Sequence, residues 1–184
     1  MRKVVRVITG KARGVVLKTP DGMTTRPTSD RVKEALFSII QFDICNANVL
    51  DLFAGTGQLG IEALSRDAKF AVFVDEQESA CSLIKENLKR TKLENSARVV
   101  RSDYEIFLKK YKEKFDIIFL DPPYAEKFLE NALNFITEID ILQSGGIIVT
   151  ERPAGKELLC DFPGYSRSKD YKYSNTVLTI FRKE

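Results

Sequence analysis

From residue 48 to residue 151, short apolar runs that end in an acid or a glycine alternate with longer stretches of helical spacing. VLDLF (49–53), FAVFVD (70–75), RVV (98–100), FDIIFLD (115–121) and GIIVTE (146–151) read as strands. GQLGIEALSR (57–66), EQESACSLIKENLKRT (76–91) and the stretches from about Tyr104 and about Ala125 read as the helices between them. In 76–91, Ala80, Leu83, Ile84 and Leu88 recur at helical intervals. Strands this apolar are buried on both faces, as in a parallel sheet covered by helices on each side. The alternation stops after residue 151. YSRSKDYKYS and NTVLTIFRK read as two extended segments joined by a turn at Ser174-Asn175, so the sheet should finish with an antiparallel hairpin. The expectation is a Rossmann-like α/β domain with a seven-stranded, mostly parallel sheet.

Ahead of this series, KVVRVIT and GVVLKTP form a candidate hairpin around Gly10 to Gly14. TRPTSDRVKEALFSII follows, with Thr28 or Ser29 as N-cap and Val32, Leu36 and Ile39/Ile40 as an apolar stripe. Residues 1–41 hold nine Lys and Arg against three acids, whereas the rest of the chain holds 20 against 23. This divides the chain into a basic extension, 1–41, and a mildly acidic body, 42–184. A basic extension of this kind suits a phosphate-facing arm, and it equally describes a solvated surface.

The chain of 184 residues suits one domain. Its 43% hydrophobic and 30% charged residues are those of a soluble globular protein, and no apolar run approaches a membrane span. The start, MRKVVRVITGKARG, has no apolar stretch before a small-residue cleavage site, so a cytoplasmic location is expected. Cys45, Cys81 and Cys160 lack metal or redox spacing and read as core thiols. Histidine is absent, which removes Ser-His-Asp and Cys-His catalysis and histidine metal sites. No metal is expected, and with no second apolar face evident the chain should be a monomer.

DLFAGTGQLG (51–60) places Gly55, Gly57 and Gly60 as G-x-G-x-x-G after a strand and at the opening of a helix. Twenty residues beyond Gly55 stands Asp75, at a strand end where a carboxylate can accept from both ribose hydroxyls; Asp103 ends the next strand and could face an adenine amino group. Asp75 and Asp103 could instead cap the helices that follow them. Together the three features describe a pocket for an adenosine-containing cofactor. Asp51, beside the loop, suits a sulfonium and an amine better than a pyrophosphate, which favours S-adenosylmethionine over NAD. An NAD-dependent oxidoreductase is the rival.

IIFLDPPY (117–124) ends an apolar strand with two prolines, which cannot continue a ladder, and so delivers Asp121 and Tyr124 to the carboxyl edge of the sheet. DLFAGTG followed some seventy residues later by DPPY resembles the S-adenosylmethionine-dependent amino-methyltransferases. More narrowly, TGKARG (9–14), RPTSDRVKEALF (26–37), DLFAGTGQLGIEALSR (51–66) and FLDPPY (119–124) resemble the RsmD family of bacterial 16S rRNA guanine-N2 methyltransferases. The resemblance implies that Asp51, Phe53, Ala54, Gly55, Thr56 and Gly57 hold the methionine part of the cofactor. It places Asp75 with Glu76 at the ribose and Asp103 with the amide of Tyr104 at the adenine. It makes Asp121, Pro122, Pro123 and Tyr124 the catalytic loop, with Tyr124 stacking on the base. Arg26, Thr28 and Arg31 would lie beside the pocket and, with Arg2, Lys3, Arg6, Lys11 and Arg13, face RNA. The implied partner is 16S rRNA in an assembled or assembling small subunit. Adenine N6 or protein amino-methylation is the rival within methyl transfer.

Overall fold

The computed structural model describes residues 4–20, 30–123, 128–158 and 162–184. Eight strand segments form one sheet: β1 (Asn48–Asp51), β2 (Phe70–Asp75), β3 (Ala97–Arg101), β4 (Phe115–Leu120), β5 (Leu142–Pro153), β6 (Tyr165–Arg167), β7 (Tyr171–Tyr173) and β8 (Thr176–Lys183). The spatial order is β3-β2-β1-β4-β5-β8-β6, with β7 also on β8. β1 to β5 pair in parallel, and β8 runs antiparallel between β5 and the β6/β7 edge. β6 and β7 are two halves of one edge strand, so the sheet has the seven positions expected. The interruption lies at 168–170, where Asp170 turns inward to the buried Arg152 (2.5 Å) and to Thr179 Oγ1 (2.7 Å). Within the interruption Ser168 N–H still bonds Ile180 O at 2.8 Å.

The helices are α1 (Asp30–Ile39), α2 (Gln58–Ser65), α3 (Glu78–Thr91), α4 (Tyr104–Lys110) and α5 (Phe128–Ile139). Alternate strand residues point to opposite faces. Val49, Ala71, Phe73, Ile117 and Phe119 therefore pack with α1, α2 and α3, while Leu50, Val72, Val74, Ile118 and Leu120 pack with α4 and α5. Each fully buried side chain of this size contributes roughly 1.5–3 kcal/mol, which explains why these strands read as unbroken apolar runs. β5 begins four residues before GIIVTE, with an irregularity opposite Phe115–Ile117. In α3 the core face is Cys81, Ile84, Leu88 and Thr91 with Asn87, and Ala80 and Leu83 are only half-buried.

The N-terminal hairpin closes through Val7 N–H to Val15 O (3.0 Å), Gly14 N–H to Val7 O (2.8 Å) and Leu17 N–H to Val5 O (2.8 Å). Val5, Val7, Ala12 and Leu17 join the same core as α1 and α2. Its polar seam is Glu62 of α2, fully buried, which accepts from Ile8 N–H (2.8 Å), Thr9 N–H (3.0 Å) and Arg66 Nε (2.9 Å). Lys33 corrects the sequence reading. It belongs to the basic count of the extension, yet it is wholly buried, with Nζ 3.4 Å from Glu62 and 2.5 Å from Arg6 O. Desolvation pulls its pKa down against the pull of Glu62. The charge is internal and unavailable to a phosphate. Cys45 is also corrected: it is exposed in the turn between α1 and β1, while Cys81 is buried. Cys160 and the N-cap candidates Thr28 and Ser29 lie outside the described residues.

Candidate active site

β1 has β2 on one side and β4 on the other, so the chain's order reverses at its carboxyl end. A crevice opens at such a point. Here it is a cavity of about 380 Å³ lined by Asp51, Phe53, Ala54, Gly55, Thr56, Asp75, Glu76, Asp103, Tyr104, Asp121, Pro122 and Pro123. These residues come from four separate stretches, and the fold brings all of them to one wall system. Leu52, Gln58, Leu59, Gln77, Ser102 and Phe128 also line it, and the sequence reading did not name them. Gln58 follows Gly57 directly, so its position was the available signal; Phe128 opens α5, and no local pattern in the sequence ties it to the cavity.

The loop after β1 passes through Gly55 and Gly57, both at positive φ (53° and 75°), and Gly57 starts α2. Gly57 does not line the cavity; a side chain there would press on Ile61 and Ile84 at 3.2–3.3 Å. Gly60 serves packing. A Cβ on it would come within 2.3 Å of the Phe73 ring, so α2 can lie this close to β2 only with glycine at that position.

Asp75 braces this loop. One of its carboxylate oxygens accepts from Gly55 N–H (2.9 Å) and the other from Gln77 N–H (2.9 Å), just before α3. Asp103 is the N-cap of α4, its Oδ1 accepting from Glu105 N–H (2.9 Å) and Ile106 N–H (3.0 Å). Asp103 thus caps the helix that follows it, whereas the N-cap of α3 is Gln77 and Asp75 does not cap that helix; both acids line the cavity. Asp103 Oδ1 is filled by its two amide donors, so Asp103 Oδ2 and the second lone pair of each Asp75 oxygen are what a ligand could use. Phe53 and Tyr104 stack obliquely at 5.2 Å, and Phe128 meets Tyr104 edge-on at 6.2 Å, making an apolar wall beside Asp103. Burial, with the Glu105 carboxylate second, pushes the Tyr104 hydroxyl up to about 12, so it stays neutral.

Asp51 is buried and accepts from Gly60 N–H at 3.0 Å. Desolvation pushes its carboxyl up to about 7, against that bond and assisted by the charge of Asp75. Asp121 is half-buried after β4, and its carboxyl is pushed well up, first by desolvation and then by Glu151 and Asp51. Both acids are short of positive charge, which a cationic ligand would supply and a pyrophosphate would worsen. A cleft of about 70 Å³ on the far side of Pro122 and Pro123 is lined by Leu129, Glu151, Arg152, Pro153 and Leu158. Among the described residues, no group of His, Cys, Asp and Glu could hold a metal.

Of the described arm residues, Arg6, Lys11, Arg13 and Arg31, none lines this cavity. Arg6 and Arg13 line a separate cleft with Asp30 and Glu34, and Arg6 pairs with Asp30 at 3.0 Å. Lys11 pairs with Asp67 at 2.7 Å, and Arg31 is exposed at the start of α1. Tyr124, Arg2, Lys3, Arg26 and Thr28 lie outside the described residues.

The family model described as "Conserved hypothetical protein 95" matches residues 5–182. The chain belongs to this RsmD-type family. It is 37% identical over 158 residues to the ribosomal RNA small subunit methyltransferase D of Haemophilus influenzae, covering 84% of this chain and 82% of that protein. YlbH of Bacillus subtilis is 40% identical over 182 residues, covering 97% and 99%. Among solved structures, yhhF of Escherichia coli superposes with a TM-score of 0.88 at 32% identity over 99% of each chain. The fold is the Rossmann-like methyltransferase fold. No helix among the described residues is long and apolar enough to cross a membrane.

Proposed function

We propose that this RsmD-type protein transfers a methyl group from S-adenosylmethionine to the exocyclic N2 amine of a guanine in small-subunit rRNA. The observation that carries this reading is the shared wall of the cavity. The glycine loop with Asp51, Asp75 and Asp103 forms one part of it and Asp121-Pro122 another, so a cofactor and an amine can meet there. The naming of the Haemophilus influenzae relative as a small-subunit rRNA methyltransferase supports the substrate class.

The residues present fit the cofactor. Asp51 and Asp121 lack a cation, Asp75 and Asp103 offer unused lone pairs, and Phe53, Tyr104 and Phe128 supply an apolar wall for a flat ring. When bound, the cofactor supplies an electrophilic methyl group on a sulfonium. Asp51 balances positive charge near the loop. Asp75 receives ribose hydroxyls while holding Gly55, and Asp103 with the Tyr104 N–H addresses the adenine edge. The Asp121 carboxylate and the Pro122 carbonyl accept the two N–H groups of the target amine, turning its lone pair toward the methyl. Orientation and placed acceptors carry the rate. Alkylation makes the amine a strong acid, so its proton leaves to solvent or Asp121 without a histidine. Tyr124 is assigned the stacking role from the DPPY motif.

The target base must leave its stack to reach this cavity, which a single-stranded RNA loop allows. We assign residues 1–41 as the RNA-facing part and 42–184 as the catalytic body. The protein acts as a monomer on an assembled or assembling subunit in the cytoplasm. The test combines rRNA from a deletion strain, which should lack one N2-methylguanosine, with purified Asp121→Ala protein. That variant should lose most turnover on assembled subunits and keep its affinity for S-adenosylhomocysteine. Unchanged rRNA modification in the deletion strain refutes the substrate, and full activity of Asp121→Ala refutes the role of the loop.

A further inference from the structure

Asn87 stands in α3 and is fully buried. Its Oδ1 accepts from Lys18 N–H at 2.7 Å, and its Nδ2 donates to Lys18 O at 3.1 Å and to Thr56 O at 3.0 Å. A side-chain amide has two N–H donors and one carbonyl, so both donors are in use. One side chain thus joins two stretches remote in sequence. The first is the end of the N-terminal hairpin, and the second is the glycine loop, whose Thr56 lines the cavity.

The hairpin that carries Lys18 is a docked body and not a loose tail. Val5, Val7, Ala12 and Leu17 lie in the core, and a Cβ on Gly10 would fall 1.7 Å from Ser65 O. Its tip is held by α2: Ser65 Oγ donates to Thr9 O (2.6 Å) and accepts from Ala12 N–H (3.0 Å), and Lys11 N–H reaches Ser65 O (2.8 Å). Those bonds involve no residue of the glycine loop. The other end is held by α3, where Arg90 Nε donates to Val16 O (3.1 Å) and Glu86 pairs with Lys18 Nζ. Both of these contacts are open to solvent, where an ion pair contributes little. Of these three α3 residues, only Asn87 is buried, and its amide also reaches the loop. Thr56 and Lys18 therefore move together or break a buried hydrogen bond.

We infer that Asn87 is a positioning residue that locks the cofactor loop to the RNA-facing arm, so that a ligand which orders the loop also orders the arm. The inference rests on the cofactor and RNA readings given above. Two ligands that order one shared unit bind cooperatively, and each tightens the other by the same factor.

The experiment is hydrogen exchange of the full chain, wild type and Asn87→Ala, without and with S-adenosylhomocysteine at a concentration that saturates each. Affinity for small subunits from a deletion strain is measured under the same two conditions, at a temperature where thermal melts show both proteins folded. In wild type the ligand should slow exchange over residues 15–20 by about fivefold beyond its effect on β8, and should tighten subunit binding by about the same factor. In Asn87→Ala both increments should vanish, although the ligand still protects residues 51–57. Protection of 51–57 in wild type with no increment at 15–20, subunit affinity that ignores the ligand, or increments that persist in Asn87→Ala each overturn the inference and leave the cofactor reading intact. The wild-type comparison decides the matter by itself where Asn87→Ala does not fold. A wild-type protein in which the ligand protects nothing overturns the cofactor reading too, and one that binds no subunits in either condition overturns the RNA reading.

Discussion

Titrating the cavity should reveal Asp51 as a proton switch on cofactor affinity. Its carboxyl is pushed up to about 7 because burial disfavours the charged form, and Asp75 adds to that cost. A cationic tail needs the carboxylate, so the protonated fraction must release its proton before the ligand binds. For a group at about 7, roughly one-tenth is ionised at about pH 6 and roughly nine-tenths at about pH 8, so affinity for S-adenosylhomocysteine should rise about tenfold across that interval. Calorimetry in two buffers of different ionisation enthalpy measures the proton release directly: close to one proton at the lower pH and nearly none at the higher. Asp51→Asn should bind weakly at every pH and flatten most of the dependence, the remainder belonging to Asp121. A wild-type affinity that is constant between these pH values, with no buffer dependence, would falsify the placement of the cation beside Asp51.

The same acid should weaken the unliganded fold as pH rises. Its folded-state pKa lies above the ordinary 3.8, so its favourable contribution is complete below that value and is lost as pH rises through about 7; Asp51→Asn should therefore melt higher than wild type at about pH 8, with the difference shrinking toward about pH 5. Asn87, fully buried, accepts from Lys18 N–H (2.7 Å) and donates to Lys18 O (3.1 Å) and Thr56 O (3.0 Å). Asn87→Ala should cost about 2–3 kcal/mol in urea unfolding and also weaken cofactor binding, because Thr56 belongs to the loop; unaltered stability would show those bonds to be idle. Glu62→Ala strands the buried Lys33 and should cost about 3–5 kcal/mol, well above Lys33→Met, as compared by urea midpoints. Gly60→Ala drives a methyl into Phe73 and should cost about 1–3 kcal/mol, with Phe73→Leu restoring part of it in the double variant.

The alternation of strands and helices, the glycine loop and the acids at strand ends were legible because each is a local pattern with a local cause. A short apolar run bounded by turn signals suits a strand of a sheet covered on both faces, and the prolines at 122 and 123 must end one. Asp51, Asp75, Asp103 and Asp121 follow from that, since every parallel strand delivers its last residue to the same edge. Lys33 was misread because its burial depends on Glu62, 29 residues later in sequence, and on the Arg6 carbonyl, none of which composition can bring together. Gln58 and Phe128 were missed for the same reason: their part in the cavity depends on which elements face them. Local periodicity thus determined the elements and the family motifs by itself. Tertiary packing decided which charges went inside and which side chains wall the cavity, because desolvation depends on everything packed around a group and not on its neighbours in sequence.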